Sequence, residues 1–268
     1  MSMLSKLGND VTKEEALEAL AELRADLAIT HAFSGFEIDP EYALSLLKSK
    51  DDENLTQLDK DKRDRLIAAV DNLIEFATCE EYQLYKDVIS HDPDFDFDTD
   101  YFDTDNEELV EEYEALCEKY NKVYAAVEND DIEYAMLIAL RWIQYASSIQ
   151  LTYWTQNDDR VRPWHYALQG FTANKEEFPS WMIPPIEWGC RCFLLTSDGG
   201  LFASSEAKKV LAKTPQKPKE IDDIFSESVA KCGRIFSHAH RYFEVDKADK
   251  PMLDRIVSNI RMKYYGES

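Results

Sequence analysis

The sequence predicts an α+β fold. An acidic, mostly helical region over residues 1–150 precedes a mixed α/β module with long ordered loops over residues 151–268. Three observations carry that prediction. Apolar residues recur at helical spacing through the first 150 positions. After Trp154 that spacing fades, and prolines, glycines and short mixed segments take over. Charge divides at nearly the same place: residues 1–150 hold 13 Lys and Arg against 37 Asp and Glu, while residues 151–268 hold 17 against 16.

Bulk properties bound the function classes. A chain of 268 residues is long enough to bury a sizeable core, and a hydrophobic content of 44% with 12% aromatics excludes general disorder. No stretch approaches the roughly 20 apolar residues that span a bilayer. The opening residues show no basic segment leading into an apolar run, so no signal peptide or membrane contact is expected and the chain is placed in a cytoplasm. The field of the first region repels a nucleic-acid backbone, which argues against direct nucleic-acid binding there. Docking on a basic protein surface suits it better. The five cysteines are Cys79, Cys117, Cys190, Cys192 and Cys232. An odd number without a secretion signal argues against a disulfide framework and leaves reduced thiols or a metal site.

Taken in order, the first helix opens with a capping box, Thr12 with Glu15, and carries Leu17, Leu20, Leu23 and Leu27 at helical spacing. A second starts with Asp39 as N-cap and Pro40 at its first position. The third places Leu66, Val70, Leu73, Ile74 and Ala77 inward. A fourth, "EELVEEYEALCEKYNKVYAAVE", has Val110, Tyr113, Cys117, Tyr120, Tyr124 and Val127 on one face. The fifth, "IEYAMLIALRWIQYASSIQLTYW", is apolar nearly all round and therefore central. Cys79 and Cys117 fall on apolar faces, as buried structural thiols do. Between the third and fourth helices, Asp96, Asp98, Asp100 and Glu107 occupy calcium-loop positions. Tyr101 stands where that loop needs glycine, so a solvated acidic loop is the expected structure.

Beyond Trp154, "CRCFLLTS" predicts a strand, "DGG" a turn, and "AKTPQKPKEIDD" a basic connection. "PSWMIPPIEWG" is expected to be irregular, because Pro184 and Pro185 each remove a donor and restrict the preceding residue. A C-terminal helix follows, with Leu253, Ile256, Val257 and Ile260 in phase.

Chemistry concentrates in residues 153–197. His165 follows Asp158, Asp159, Arg160 and Arg162, and a proline-stiffened approach leads to Cys190 and Cys192. On a strand the two thiols share one side, and Arg191 points to the other, where it can pair with a carboxylate or phosphate. Two same-facing thiols and an imidazole supply three zinc ligands, with Cys232, His238 or His240 as a fourth. One-residue cysteine spacing is atypical of zinc motifs, so buried apolar thiols, zinc ligands and a reactive thiol beside His165 all stand as readings.

The ordered set D-x-R-V-R-x-x-H, A-L-x-G, an aromatic stretch, P-P and W-G-C-R-C resembles the C-terminal signature of phage Mu F-like minor head proteins, the phage head morphogenesis family. The matching residues are Asp158 or Asp159, Arg160, Arg162, His165, Gly170, Phe178, Trp181, Pro184, Pro185, Trp188, Gly189, Cys190, Arg191 and Cys192. "FSESVAKCGRIFSHAHRYF" is similar to the tail of longer members, so the resemblance covers roughly residues 140–245. The family often has proline or glutamate where this chain has Trp164.

That resemblance implies a minor structural head protein of a tailed phage or prophage. It would sit in the virion or procapsid, made in the host cytoplasm, with the portal and other head proteins as partners and no catalytic activity or cofactor. The alternative is a zinc- or thiol-dependent toxin-like hydrolase using His165, Cys190 and Cys192 with Asp159.

Overall fold

The structure, a computed structural model, describes residues 12–49, 53–91, 107–196 and 215–266. It is mainly helical with a small antiparallel sheet. The candidate calcium positions Asp96, Asp98 and Asp100, the "DGG" turn and the first residues of the basic connection lie outside the described residues.

Helix α1 (Lys13–Gly35) begins where Thr12 and Glu15 exchange hydrogen bonds as a capping box. Helix α2 (Pro40–Lys48) begins where the Asp39 carboxylate accepts the Tyr42 N–H at 3.0 Å. Helix α3 (Gln57–His91) runs 35 residues, and its predicted inner residues Leu66, Val70, Leu73, Ile74 and Ala77 are all fully buried.

The inner face of α1 departs from the leucine stripe. Leu17 is buried, but Leu23 and Leu27 are 45% and 51% exposed. Ala21, Ala25, Ala28, Ile29 and Ala32 form the packed side instead. The reason is that α1 packs against both α3 and α5, and small side chains let three backbones approach. Gly35 marks the tightest point. A Cβ there would lie 2.1 Å from the Glu133 carbonyl oxygen.

The predicted fourth and fifth helices are one continuous run. Helix α4 (Glu107–Glu118) passes through a π turn at Lys119–Tyr124 into helix α5 (Ala125–Gln144). The widened turn rotates everything that follows. Tyr113 and Tyr120 therefore face inward as predicted, whereas Val127 is 46% exposed and Glu128, Asp131, Ile132, Ala135 and Ala139 take the inner side.

Helix α5 also stops earlier than predicted. Residues 150–154 form strand β1 (Gln150–Trp154), where Leu151 and Tyr153 are buried between more open neighbours. This alternation has the period of a strand, and a helical reading of "QLTYW" overlooked it. β1 lies between β2 (Thr172–Asn174) and β3 (Phe193–Thr196), antiparallel to both, with Leu151 opposite Ala173 and Thr196.

One hydrophobic core runs across residue 150. Helix α7 (Lys250–Tyr265) packs on α1, α2 and α3 through Leu253, Ile256, Val257 and Ile260. Asn72 of α3 accepts the N–H groups of Ile235 and Phe236 at 2.8 and 2.9 Å and donates to the Phe236 carbonyl at 3.0 Å. Deep between the helices, Arg24 donates to Glu80 and Glu128, each at 2.7 Å, and Tyr242 donates to the other Glu128 oxygen at 3.2 Å.

Candidate functional site

Four short segments assemble the site. After β1, Arg162 and Pro163 start the brief helix α6 (Pro163–Tyr166), which fixes Trp164 and His165. The chain returns through β2 and a 3-10 turn at Ser180–Met182. It then crosses the buried Pro184–Pro185 pair, whose peptide bond is cis. At Trp188–Gly189 it turns, with Gly189 at φ +63°, a conformation that favours glycine. The Gly189 N–H donates to both carboxylate oxygens of Asp131, at 3.1 and 2.9 Å, which pins the turn to α5.

Cys190, Arg191 and Cys192 follow as an extended run that enters β3 at Phe193, so the strand begins after the cysteines and not at them. Their alternation is nevertheless that of a strand. Both thiols are 3% exposed and face His165, whose Nδ1 lies 3.8 Å from Cys190 Sγ and 3.5 Å from Cys192 Sγ. Arg191 points the other way and meets Asp158 with a 2.8 Å contact. The carboxylate that pairs is therefore Asp158; Asp159 is exposed and stands apart from the site.

The far side of His165 is also committed. Its Nε2 donates to Glu187 Oε2 at 2.5 Å, and Trp164 Nε1 donates to the same oxygen at 2.6 Å. Arg162 donates to the Trp188 carbonyl at 2.8 Å, with its Nε 3.7 Å from that Glu187 oxygen. Since a carboxylate only accepts, Nε2 carries a proton, and Nδ1 is the ring nitrogen that faces the sulfurs.

The two thiols differ in acidity. Burial pushes Cys190 well above the ordinary thiol range. Cys192 is lowered, first by a hydrogen bond from Cys190, then by Tyr153 and by the charges of Arg162 and Arg191, against the opposing effect of burial. Tyr153 itself is fully buried, and its hydroxyl has no nitrogen or oxygen partner. Tyr134 donates to the Cys192 carbonyl at 2.5 Å. Burial raises Asp131 to about 7, against the Gly189 hydrogen bond that favours its charged form.

The remaining motif residues make contacts around this cluster. Gly170, at φ +88°, donates its N–H to the Tyr153 carbonyl at 2.9 Å, closing the β1–β2 connection. The Arg160 N–H donates to Asp158 at 3.1 Å, and Trp181 is half-buried against the core. The Trp188 ring meets Phe225 and His240 edge-on, with centroids 5.1 and 5.7 Å apart. None of the expected fourth ligands joins His165, Cys190 and Cys192 among the described residues. Cys232 is exposed, His238 faces Glu75 at 3.3 Å, and His240 is buried in an aromatic stack, its Nδ1 accepting the Tyr242 N–H.

Sequence reasoning missed four residues of the site: Asp131, Tyr134, Tyr153 and Glu187. Glu187 lies inside "PPIEWGCRC" and adjoins the motif, so its position was the only hint. Asp131 is one acid in an acidic run, and only the fold singles it out. Space beside His165 and Cys192 is small, about 20 Å³, bounded by residues that include Gln156, Arg162 and Gly189. Trp188 separately lines a cleft of about 610 Å³ with Val123, Val127, Glu128, His240 and Tyr242. Compared with known proteins, the chain matches no family model, no curated protein and no solved structure.

Proposed function

We propose that this chain is a minor structural head protein of a tailed phage or prophage, associated with the portal or procapsid and acting in head assembly or DNA passage. The supporting observation is that the motif residues are occupied with one another. Asp158 holds Arg191, Arg162 holds the Trp188 carbonyl, and His165 joins Glu187 to the two thiols. Such mutual bonding suits a fold signature. The neighbouring space of about 20 Å³ is the size of roughly one water. On this reading the protein is not an enzyme, and its acidic helices and clasped C-terminal module work through protein contacts in the particle.

The hydrolase alternative draws on the lowered Cys192 thiol beside His165, and it would need more substrate space than the roughly 20 Å³ beside that thiol. Two measurements test the proposal. Portal and terminase genes are expected beside the coding sequence, and the protein is expected in purified procapsids or virions by mass spectrometry. Particles that contain portal but lack this chain would overturn the assignment.

A further inference from the structure

We infer that His165 Nδ1, Cys190 Sγ and Cys192 Sγ hold one zinc(II) ion, with a water at the fourth position. The inference goes beyond the head-protein reading and stands without it, because it rests on the geometry of the clasp.

The three atoms all lie within 4.8 Å of one another, and all three residues are buried. Zinc binds sulfur at about 2.3 Å and imidazole nitrogen at about 2.0–2.1 Å in a tetrahedron. Those bond lengths place nitrogen and sulfur about 3.5 Å apart along a tetrahedral edge. The observed separations are 3.5 and 3.8 Å. A thiol–imidazole hydrogen bond needs one sulfur at such a distance; here two converge on one ring nitrogen.

Around these atoms the structure supplies what a metal-ligating histidine uses. Its other nitrogen donates to a carboxylate, Glu187, which fixes the tautomer that leaves Nδ1 free to coordinate. Trp164 donates to the same carboxylate oxygen and holds it in place. The Tyr153 hydroxyl, fully buried and without a hydrogen-bond partner among the described residues, gains an acceptor if Cys192 is a metal-bound thiolate. The space of about 20 Å³ beside His165 and Cys192 is that of one water, which completes four-coordination where Cys232, His238 and His240 do not reach.

Binding is balanced as an exchange of protons for metal. Hydrated zinc(II) loses water, Cys190 and Cys192 lose one proton each to solvent, and two thiolates offset the two positive charges. Affinity therefore falls as pH is lowered.

The test uses the full chain, purified without chelator. About one zinc per chain is expected by elemental analysis. Replacing it with cobalt(II) should give the thiolate charge-transfer absorption and intense visible bands of a tetrahedral cobalt–sulfur site. Glu187→Gln should keep that spectrum while weakening zinc binding by about 10–100-fold; Cys232→Ser should change neither. Cobalt(II) titrated into folded, metal-free wild-type protein without any thiolate absorption would overturn the inference, whatever the variants do. So would metal binding that survives Cys190→Ser with Cys192→Ser, which would mark an adventitious ion.

Discussion

At the residue scale, Asp131 and Gly189 show how one side chain sets a turn. Removing the carboxylate in Asp131→Ala leaves the Gly189 N–H without its acceptor and should cost about 1–3 kcal/mol in a denaturant melt. Gly189→Ala is different, because a Cβ there has nothing within 4 Å and only the positive φ opposes it. A loss of about 1–2 kcal/mol is expected, and a larger one would point to contacts the free space denies. Two buried acids give stability a pH dependence. Glu81 and Asp131 are each raised to about 7 by burial, the former against the attraction of Arg24. A carboxyl raised above its unfolded value stabilises fully below that unfolded value, and the contribution is lost as pH rises through the folded value. His240, lowered to about 4 chiefly by burial, contributes fully above its ordinary 6.5 and loses that contribution as pH falls toward 4. Burial raises Glu80 and Glu128 in the same direction, so the buried acids together should make Tm fall between pH 6.5 and 8 by calorimetry, where His240 no longer titrates. Glu81→Gln should flatten the decline. The facing of the two thiols and of Arg191 was legible from alternation alone. The choice of Asp158 over Asp159 was not, because it depends on where a loop turns.

Elements were legible in kind, and less so in phase. Caps at Thr12 and Asp39 mark helix starts through local hydrogen bonds, which sequence encodes directly. The buried face of α1 depends on two neighbours, and leucine spacing carries no information about them. The consequence is measurable. Leu23→Ala should change stability by no more than about 0.5 kcal/mol, whereas Ala25→Leu, at a fully buried contact, should cost about 1–3 kcal/mol or more. The π turn at Lys119–Tyr124 explains the other phase error. Tyr120 anchors it by donating to Asp87 at 2.6 Å, and beyond it the inward stripe resumes at a new angle. β1 was missed because a five-residue segment with Leu151, Tyr153 and Trp154, at the end of a helical pattern, is too short to separate the two periods.

For the whole molecule, the charge split seen in the sequence becomes a contact. Basic and polar residues of α7 meet the acidic side of α1: Arg255 with Glu14, Asn259 with Glu18, and Lys263 with Glu22 and Asp26. These pairs are exposed and screened by salt, so they orient the helix more than they hold it. Burial does the holding. A fragment ending at residue 150 would lack α7 and the ring cluster of Phe236, His240 and Tyr242 that covers Phe76. It should keep helical circular dichroism but lose near-ultraviolet signal and bind a hydrophobic dye; a sharp cooperative melt would contradict the shared core. That sharing was invisible in sequence, where composition changes at residue 150 and suggested a boundary.

Asn72 gives this arrangement a history in time. Its partners Ile235 and Phe236 lie 163 and 164 residues further along the chain. Translation at roughly 5–20 residues per second delays them by roughly 8–30 seconds after Asn72 is made. Throughout that interval the nascent helices carry an amide and a phenylalanine face whose covering has not been synthesised. The newborn chain thus passes through a stage of exposed apolar surface that the finished protein never shows.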